Sequence, residues 1–132
     1  MEQNPQITLV NSTTLITMKH TDLTYLKEIA NGSNTFIVEM LSIFIREIPE
    51  ALIRMETHLQ NNDWKSLHGL LHKIKPSISF VGLKEVEKDV RLAEEYCASQ
   101  NNLHLLPGMI ATIKQTCTEA IEELRLELPN YK

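Results

Sequence analysis

The sequence has few of the residues that build turn-rich or disulfide-linked folds. Its 132 residues include four glycines, two cysteines and 5% aromatic residues. So little glycine and so few aromatics argue against a sandwich or barrel of short strands. The two cysteines, Cys97 and Cys117, fall on predicted apolar helix faces. We therefore expect them to be small buried hydrophobes in a reducing cytoplasm and not a disulfide framework.

Positive charge and long apolar runs are scarce as well. The net charge is −4 and the basic residues are scattered, so we expect no nucleic-acid partner. No run approaches the roughly 18 apolar residues of a membrane span. The first ten residues lack the basic start and long apolar core of a secretory signal. These absences predict a cytoplasmic protein that is not associated with a membrane.

The length is that of one domain, which can bury a core without covalent staples. Residues 1–20 are rich in Thr, Asn and Ser, with isolated apolar positions. They predict an N-terminal arm, and the sequence leaves open whether this arm is extended, partly ordered or a short strand pair. From residue 21 onward strand-like alternation is absent and apolar residues recur at helical spacing. Residues 21–132 are therefore the predicted helical domain.

One short helix and four long ones account for residues 21–132. Short polar turns separate the long helices, so consecutive helices should run antiparallel and pack around one core. The predicted fold is all-α, an antiparallel up-down four-helix bundle with a short additional N-terminal helix. Two prolines fall inside helices and are expected to bend them without ending them, Pro49 and Pro76. The predicted helices begin near Asp22, Ser33, Asp63, Leu83 and Leu106, and end near Ala30, Gln60, Val81, Ser99 and Leu128.

The second long helix carries an unusual polar face. An apolar seam through Leu67, Leu71 and Ile74 anchors it to the core. A different face presents a stripe that contains two imidazoles and two amines but no carboxylate. An ordinary solvated helix face mixes both signs of charge, so this stripe is a candidate site. Its members are Lys65, His68, His72, Lys75 and Ser79.

His72 and Lys75 suit phosphoryl chemistry. A neutral imidazole is a good nucleophile near pH 7 because its pKa is ordinarily about 6.5. A phosphoryl group on His72 would add negative charge, which Lys75, one turn later, could neutralise. Lys73 is rotated about 100° away on the helix and is less well placed. By spacing alone this is a weak motif, since a His followed by Lys at i+3 is common on helices.

The same segment resembles the signature of histidine-containing phosphotransfer (HPt) domains. That signature has a phosphorylated His, a Lys three residues on, a small residue at the fifth position and a Gly ten residues after the His. His72, Lys75, Ser77 and Gly82 match it, and helix order is similar over residues 20–128. The resemblance implies a phosphorelay intermediate in which His72 is phosphorylated and Lys75 stabilises the phosphoryl group. It also implies a structural role for Gly82.

The resemblance further implies the partners. These are response-regulator receiver domains, whose aspartyl phosphate exchanges with His72, and a hybrid histidine kinase. The protein itself would be a monomeric phosphoryl carrier without autonomous kinase activity and without a cofactor of its own, while Mg²⁺ would be bound by the receiver. The residues expected at the rim of the receiver-docking surface are His68, Pro76, Ser79 and Lys65.

One departure from the signature leaves alternatives open. The family usually has Gly directly after the Lys, whereas this chain has Pro76. Pro76 therefore favours a second interpretation, a receiver-binding module that is not phosphorylated. A third interpretation uses the i,i+4 pair of His68 and His72 as part of a metal site. That site would need ligands from other helices, because the two imidazoles have no acidic or Cys partner on their own helix.

Overall fold

The computed structural model describes residues 6–9, 15–18 and 20–132 of the chain, with side chains from residue 20 onward. It contains one strand pair, one short helix and four long helices, with two short 3-10 segments at 103–105 and 128–131. The elements are β1 (Gln6–Leu9), β2 (Leu15–Met18), α1 (Thr24–Ala30), α2 (Asn34–Gln60), α3 (Trp64–Phe80), α4 (Lys84–Ser99) and α5 (Leu106–Glu127).

Helices α2 to α5 form the predicted four-helix bundle. Each packs against two others, in the pairs α2–α3, α3–α4, α4–α5 and α2–α5, and α1 lies against α2. Turns of three to six residues join consecutive long helices, so that neighbours in the chain are also neighbours in the bundle. The predicted fold class is therefore confirmed. No helix among the described residues is long and apolar enough to cross a membrane.

The predicted apolar seams form the core. The inward residues that helical spacing predicts are all buried along three helices: Leu67, Leu71, Ile74, Ile78 and Val81 for α3, Leu83, Val86, Val90, Ala93 and Cys97 for α4, and Leu106, Ile110, Ile113, Cys117, Ala120, Ile121 and Leu124 for α5. For α2 they are Ile37, Leu41, Phe44, Ile48, Ala51, Leu52, Met55 and Leu59, of which Leu59 alone is partly exposed. Cys97 and Cys117 are both free and buried, as predicted. Burial raises the pKa of the Cys97 thiol to about 11, with a contribution from the nearby charge of Glu94. Burial alone raises the pKa of Cys117 to about 12.

Local caps explain where the helices begin and end. Ser33 Oγ accepts a hydrogen bond from the backbone N–H of Phe36 at 3.1 Å, which starts α2. Asp63 Oδ1 accepts one from the N–H of Ser66 at 3.2 Å, which starts α3. Asn31 has a left-handed backbone (φ 50°) and ends α1. The predicted boundaries agree with these ends to within two residues.

Both internal prolines lie within continuous helices. Pro49 is inside α2 and Pro76 is inside α3. The apolar seam keeps its register across each proline, because Ile48 and Leu52 in α2, like Ile74 and Ile78 in α3, are buried. The bends that the sequence suggests at these sites stay a prediction.

The N-terminal strand pair precedes the helices. β1 and β2 are antiparallel, with Gln6 opposite Met18 and Leu9 opposite Leu15. Of the alternatives that the sequence left open for residues 1–20, a strand pair is what the structure has over 6–9 and 15–18. β2 lies beside α5. Residues 1–5, 10–14 and 19 of the predicted arm, Val10 among them, lie outside the described residues.

A buried carboxylate attaches the start of the helical domain to α5. Glu123 is 4% exposed. Its carboxylate accepts hydrogen bonds from the backbone N–H groups of His20 and Thr21 at 3.1 and 3.0 Å, and from the Thr21 hydroxyl at 2.8 Å. His20 Nε2 lies 2.6 Å from a carboxylate oxygen of Glu119. Residues 20 and 21 are thus fixed at one position along α5.

Gly82 fixes the same segment from the other side. It follows α3 with φ of +70°, the left-handed backbone that a glycine just past the last apolar position of a helix predicts. A Cβ on Gly82 would lie 2.2 Å from the carbonyl oxygen of Asp22. The N–H of Asp22 donates to the carbonyl of Val81 at 3.0 Å. The chain entering α1 therefore passes directly over the α3–α4 turn, where no side chain can be accommodated.

Candidate functional site

The imidazole of His72 lies on the surface of α3. Its side chain is 68% exposed. Leu71 and Ile74, on either side of it in the sequence, are buried and hold the backbone of this helix turn against the core. The ring is therefore accessible to another protein while its backbone is fixed.

A buried carboxylate on α4 orients this ring. The side chain of Glu94 is only 12% exposed, and its Oε2 lies 2.7 Å from Nδ1 of His72. Its other oxygen, Oε1, lies 2.8 Å from Nζ of Lys75. One carboxylate thus contacts both residues of the predicted pair, and the amine of Lys75 points to the same side of α3 as the imidazole.

The hydrogen bond assigns the tautomer of His72. Burial by itself would raise the pKa of Glu94, but the hydrogen bonds from Lys75 and His72 outweigh it and hold that pKa below its ordinary value. Glu94 is therefore a charged acceptor at neutral pH, and Nδ1 of His72 must carry the hydrogen. The lone pair of the neutral ring is then on Nε2, on the side of the ring away from Glu94.

His68 lies one turn before His72 and faces the same carboxylate. The two rings are nearly parallel, with an interplanar angle of 6° and centroids 6.4 Å apart. Nε2 of His68 lies 3.7 Å from Oε2 of Glu94. That distance is too long for a hydrogen bond, so His68 is a neighbour of the carboxylate and not its primary partner.

The other residues predicted at the docking rim do not join this group. Ser79 donates a hydrogen bond through Oγ to Glu87 on α4. Lys65 is exposed and makes no ion pair with any residue in the part of the chain that the structure describes. Pro76 is exposed, one turn after His72 on nearly the same face. The structure thus brings three of the predicted residues together on Glu94 and leaves the other three at the edges.

An aromatic pair, in which one ring is exposed and the other partly buried, lies beyond the C-terminal end of the stripe. Tyr25 on α1 is 51% exposed and stacks on Phe80 of α3, with centroids 6.1 Å apart. Ile29, one turn after Tyr25, is 41% exposed. Phe80 follows His72 by eight residues, or about 12 Å along the helix axis. An apolar surface therefore lies within reach of any protein that covers His72.

The geometry does not favour a metal site. Among residues 20–132 no three His, Cys, Asp or Glu side chains are grouped so that they could hold an ion. Glu94 could supply the missing ligand from another helix, but one of its oxygens is taken by the ammonium group of Lys75. A cation there would compete with a charge already in place.

Sequence reasoning missed Glu94. The mixed charges between Lys84 and Glu95, including Glu87 and Arg91, predict a solvated face, and for Glu94 this prediction is wrong. A signal was present, because Glu94 follows the buried Val90 by four residues and therefore belongs to the inward seam of α4. A carboxylate on a seam needs a partner, and the uncompensated amines and imidazoles of α3 were the available ones.

Comparison with known proteins gives one family and one fold. A family model described as Hpt domain matches residues 39–128, more than half of the chain. No curated protein sequence matches. The solved structures that match include histidine-containing phosphotransfer protein B (HptB) from Pseudomonas aeruginosa PAO1, with a TM-score of 0.77 and 19% identity over 88% of this chain and 100% of that one. That identity is low, so the likeness shows the bundle fold alone. From the family model and the bundle together, the chain belongs to the Hpt domain family, which supports a histidine phosphotransfer role in a phosphorelay.

Proposed function

We propose that this protein is a phosphorelay intermediate in two-component signal transduction, with His72 as its phosphorylated residue. His72 accepts a phosphoryl group from the aspartyl phosphate of one receiver domain and passes it to another receiver. The observation that carries the proposal is the hydrogen bond from Nδ1 of the exposed His72 ring to the buried Glu94. That bond leaves the nucleophilic nitrogen on the open side of the ring.

The transfer step balances without an additional acid or base. The Nε2 lone pair of His72 forms a bond to phosphorus, and the bond from phosphorus to the aspartyl oxygen breaks. The aspartate leaves as a carboxylate. The ring gains positive charge while Nδ1 keeps its hydrogen, and the carboxylate of Glu94, 2.7 Å from Nδ1, stabilises that charge. Transfer to the next receiver reverses these changes.

Lys75 stabilises the phosphoryl group in this mechanism. Phosphoryl transfer depends mainly on positioning and on compensating the charge of the phosphoryl oxygens. The ammonium of Lys75 is held one turn from His72 by Glu94. A small rotation of its flexible side chain moves the charge toward a phosphoryl group on Nε2 without removing it from the site.

The partners supply what this chain lacks. Receiver domains contribute the aspartate and its Mg²⁺, and a hybrid histidine kinase supplies the phosphoryl group. The sequence has no Gly-rich nucleotide loop, so the protein is a carrier without autonomous kinase activity, and it acts as a cytoplasmic monomer. We expect receivers to dock on the rim formed by His68, Pro76, Ser79 and Lys65, and to extend over Tyr25 and Phe80.

The test is phosphorylation by a receiver. A purified receiver carrying aspartyl phosphate should transfer acid-labile phosphate to the wild-type protein and none to a His72→Gln variant. His104→Gln is the matched control, because His104 is also exposed but lies in the turn before α5. Labelling that survives in His72→Gln would contradict the proposal. Receiver binding without phosphorylation of the wild type would support the non-phosphorylated module instead.

A second assay examines the carrier assignment. Incubation with labelled ATP alone should leave the wild-type protein unlabelled, whereas the phosphorylated receiver should label it. Labelling by ATP alone, retained after gel filtration and lost in His72→Gln, would show kinase activity in this chain and would contradict the carrier role.

A further inference from the structure

Pro76 changes the hydrogen bonding of the residue that carries the reactive imidazole. In an α-helix the carbonyl of His72 would accept a hydrogen bond from the N–H of residue 76. Proline has no N–H, and α3 nevertheless continues from Trp64 to Phe80. No side chain among residues 20–132 donates to that carbonyl in its place. The carbonyl oxygen of His72 has therefore lost its regular donor.

The helix turn from His72 to Pro76, to which this oxygen belongs, lies where a receiver would dock. His72 and Pro76 are both exposed and lie one turn apart on nearly the same face of α3. A receiver aspartate that reaches Nε2 of His72 must bring its own surface over this face. Covering the carbonyl without giving it a donor would strip its hydration with nothing to replace it, and buried carbonyls are nearly always hydrogen-bonded.

We infer that the His72 carbonyl, which Pro76 leaves without its i+4 donor, is a receiver-facing hydrogen-bond acceptor that selects receivers presenting an N–H or O–H donor beside their aspartyl phosphate. The inference rests on the proposed function. Pro76 is then a specificity-determining residue, because a receiver without that donor would bury the oxygen unpaired. A helix with an ordinary residue at position 76 would satisfy the carbonyl internally and lose this discrimination.

The experiment restores the missing donor. Pro76→Ala supplies an N–H to the His72 carbonyl and should bind the cognate receiver about five- to tenfold more weakly, the usual range for one hydrogen bond. Binding is measured by titration calorimetry with the unphosphorylated receiver. The matched control is Pro49→Ala, which likewise restores an N–H inside α2, to the carbonyl of Ile45. It should leave receiver affinity unchanged.

A backbone ester separates the N–H from the loss of the proline ring. With lactic acid at position 76, the chain has the side chain of alanine but no N–H. Its affinity should return to within about twofold of wild type, because the carbonyl is again without an internal donor. An ester as weak as Pro76→Ala would mean that the ring itself makes the contact, and would overturn the inference. Unchanged affinity in Pro76→Ala would overturn it as well.

Failure of this inference and failure of the relay function give different results. If His72 is phosphorylated in wild type and in Pro76→Ala with equal receiver affinity, the inference is wrong and the relay function stands. If wild-type His72 is not labelled by any phosphorylated receiver that binds it, the proposed function is wrong, whatever the proline variants do.

Discussion

Glu94 and His72 are 22 positions apart and on different helices, yet Oε2 of Glu94 lies 2.7 Å from Nδ1 of His72. The His72 imidazole is thus carried by α3 but oriented by α4. Any change that shifts α4 relative to α3 would alter the direction of Nε2 even if α3 kept its shape. The packing of these two helices is therefore part of the site.

Replacing Glu94 by Gln should slow phosphorylation of His72 by about tenfold or more. The amide keeps the shape but loses the charge, and charge-assisted hydrogen bonds are roughly twice as strong as neutral ones. The measurement is the single-turnover rate of transfer from a phosphorylated receiver at saturating receiver concentration. Glu95→Gln, an exposed neighbour on α4, is the control and should transfer at the wild-type rate. Equal rates for the two variants would remove Glu94 from the mechanism.

Replacing Lys75 by Ala should slow transfer while the bundle stays folded. The variant removes the cation that the proposed mechanism places beside the phosphoryl group, and it leaves Oε1 of Glu94 without its 2.8 Å partner. Lys73→Ala is the control, since that amine lies on another face of α3. Single-turnover rates measure the effect, and circular dichroism verifies folding. A Lys75→Ala rate equal to that of Lys73→Ala would contradict the role of Lys75.

The lowered pKa of Glu94 predicts a pH dependence of stability. A carboxyl whose pKa is lower in the folded state stabilises the protein when ionised. This contribution is fully present above the ordinary pKa of 4.5 and is lost as pH falls through the lower, folded value. Urea unfolding from pH 6 to pH 3 should therefore show a steeper loss for wild type than for Glu94→Gln. If the free energy of unfolding fell equally with pH in the two proteins, the lowered pKa of Glu94 would be contradicted.

Replacing Glu123 by Ala should destabilise the protein by about 1–3 kcal/mol without slowing phosphoryl transfer. The variant leaves the N–H groups of His20 and Thr21 and the Thr21 hydroxyl without their acceptor. Urea unfolding gives the stability. Glu122→Ala, on an exposed position next to it, should change stability by less than about 0.5 kcal/mol. A similar loss in both variants would show that the contacts at Glu123 contribute little.

Replacing Gly82 by Ala should cost at least about 2 kcal/mol, because a side chain at φ +70° is strained and its Cβ would overlap the Asp22 carbonyl. Gly69 is the matched control. It lies inside α3, and a Cβ added there would meet nothing within 4 Å, so Gly69→Ala should stabilise the helix by about 1 kcal/mol. Thermal unfolding should show a lower melting temperature for Gly82→Ala and a higher one for Gly69→Ala. Equal melting temperatures for both variants would contradict the close approach of Asp22 to Gly82.

The fold could be predicted from the sequence because apolar residues recur at helical spacing along almost the whole length of each long helix. Leu67, Leu71, Ile74 and Ile78 recur at helical spacing, and each is buried as that spacing requires. Polar turns and caps such as Asp63 mark the ends of the helices. Such local signals need no knowledge of how one helix is rotated against another.

The site could be predicted only in part, because local spacing does not show how one helix is rotated against another. His72 and Lys75 belong to one helix, so their spacing alone placed them side by side. Glu94 joins them only because α4 is rotated to present that position to α3, and rotation depends on packing of the whole bundle. The contacts of Glu123 with residues 20 and 21 likewise join distant parts of the chain, 103 and 102 positions apart. No local pattern marks such a pair.

The orientation of His72 has a consequence for the order in which partner proteins can bind. Nδ1 of the ring is hydrogen-bonded to Glu94, so only Nε2 is accessible to a partner protein. In a relay built on this ring, the receiver that donates the phosphoryl group and the receiver that accepts it must both react at Nε2, and they can do so only one after the other. An acceptor receiver that is abundant and dissociates slowly would then exclude the donor receiver. The rate of phosphoryl transfer through the relay would therefore pass through a maximum at an intermediate concentration of the acceptor.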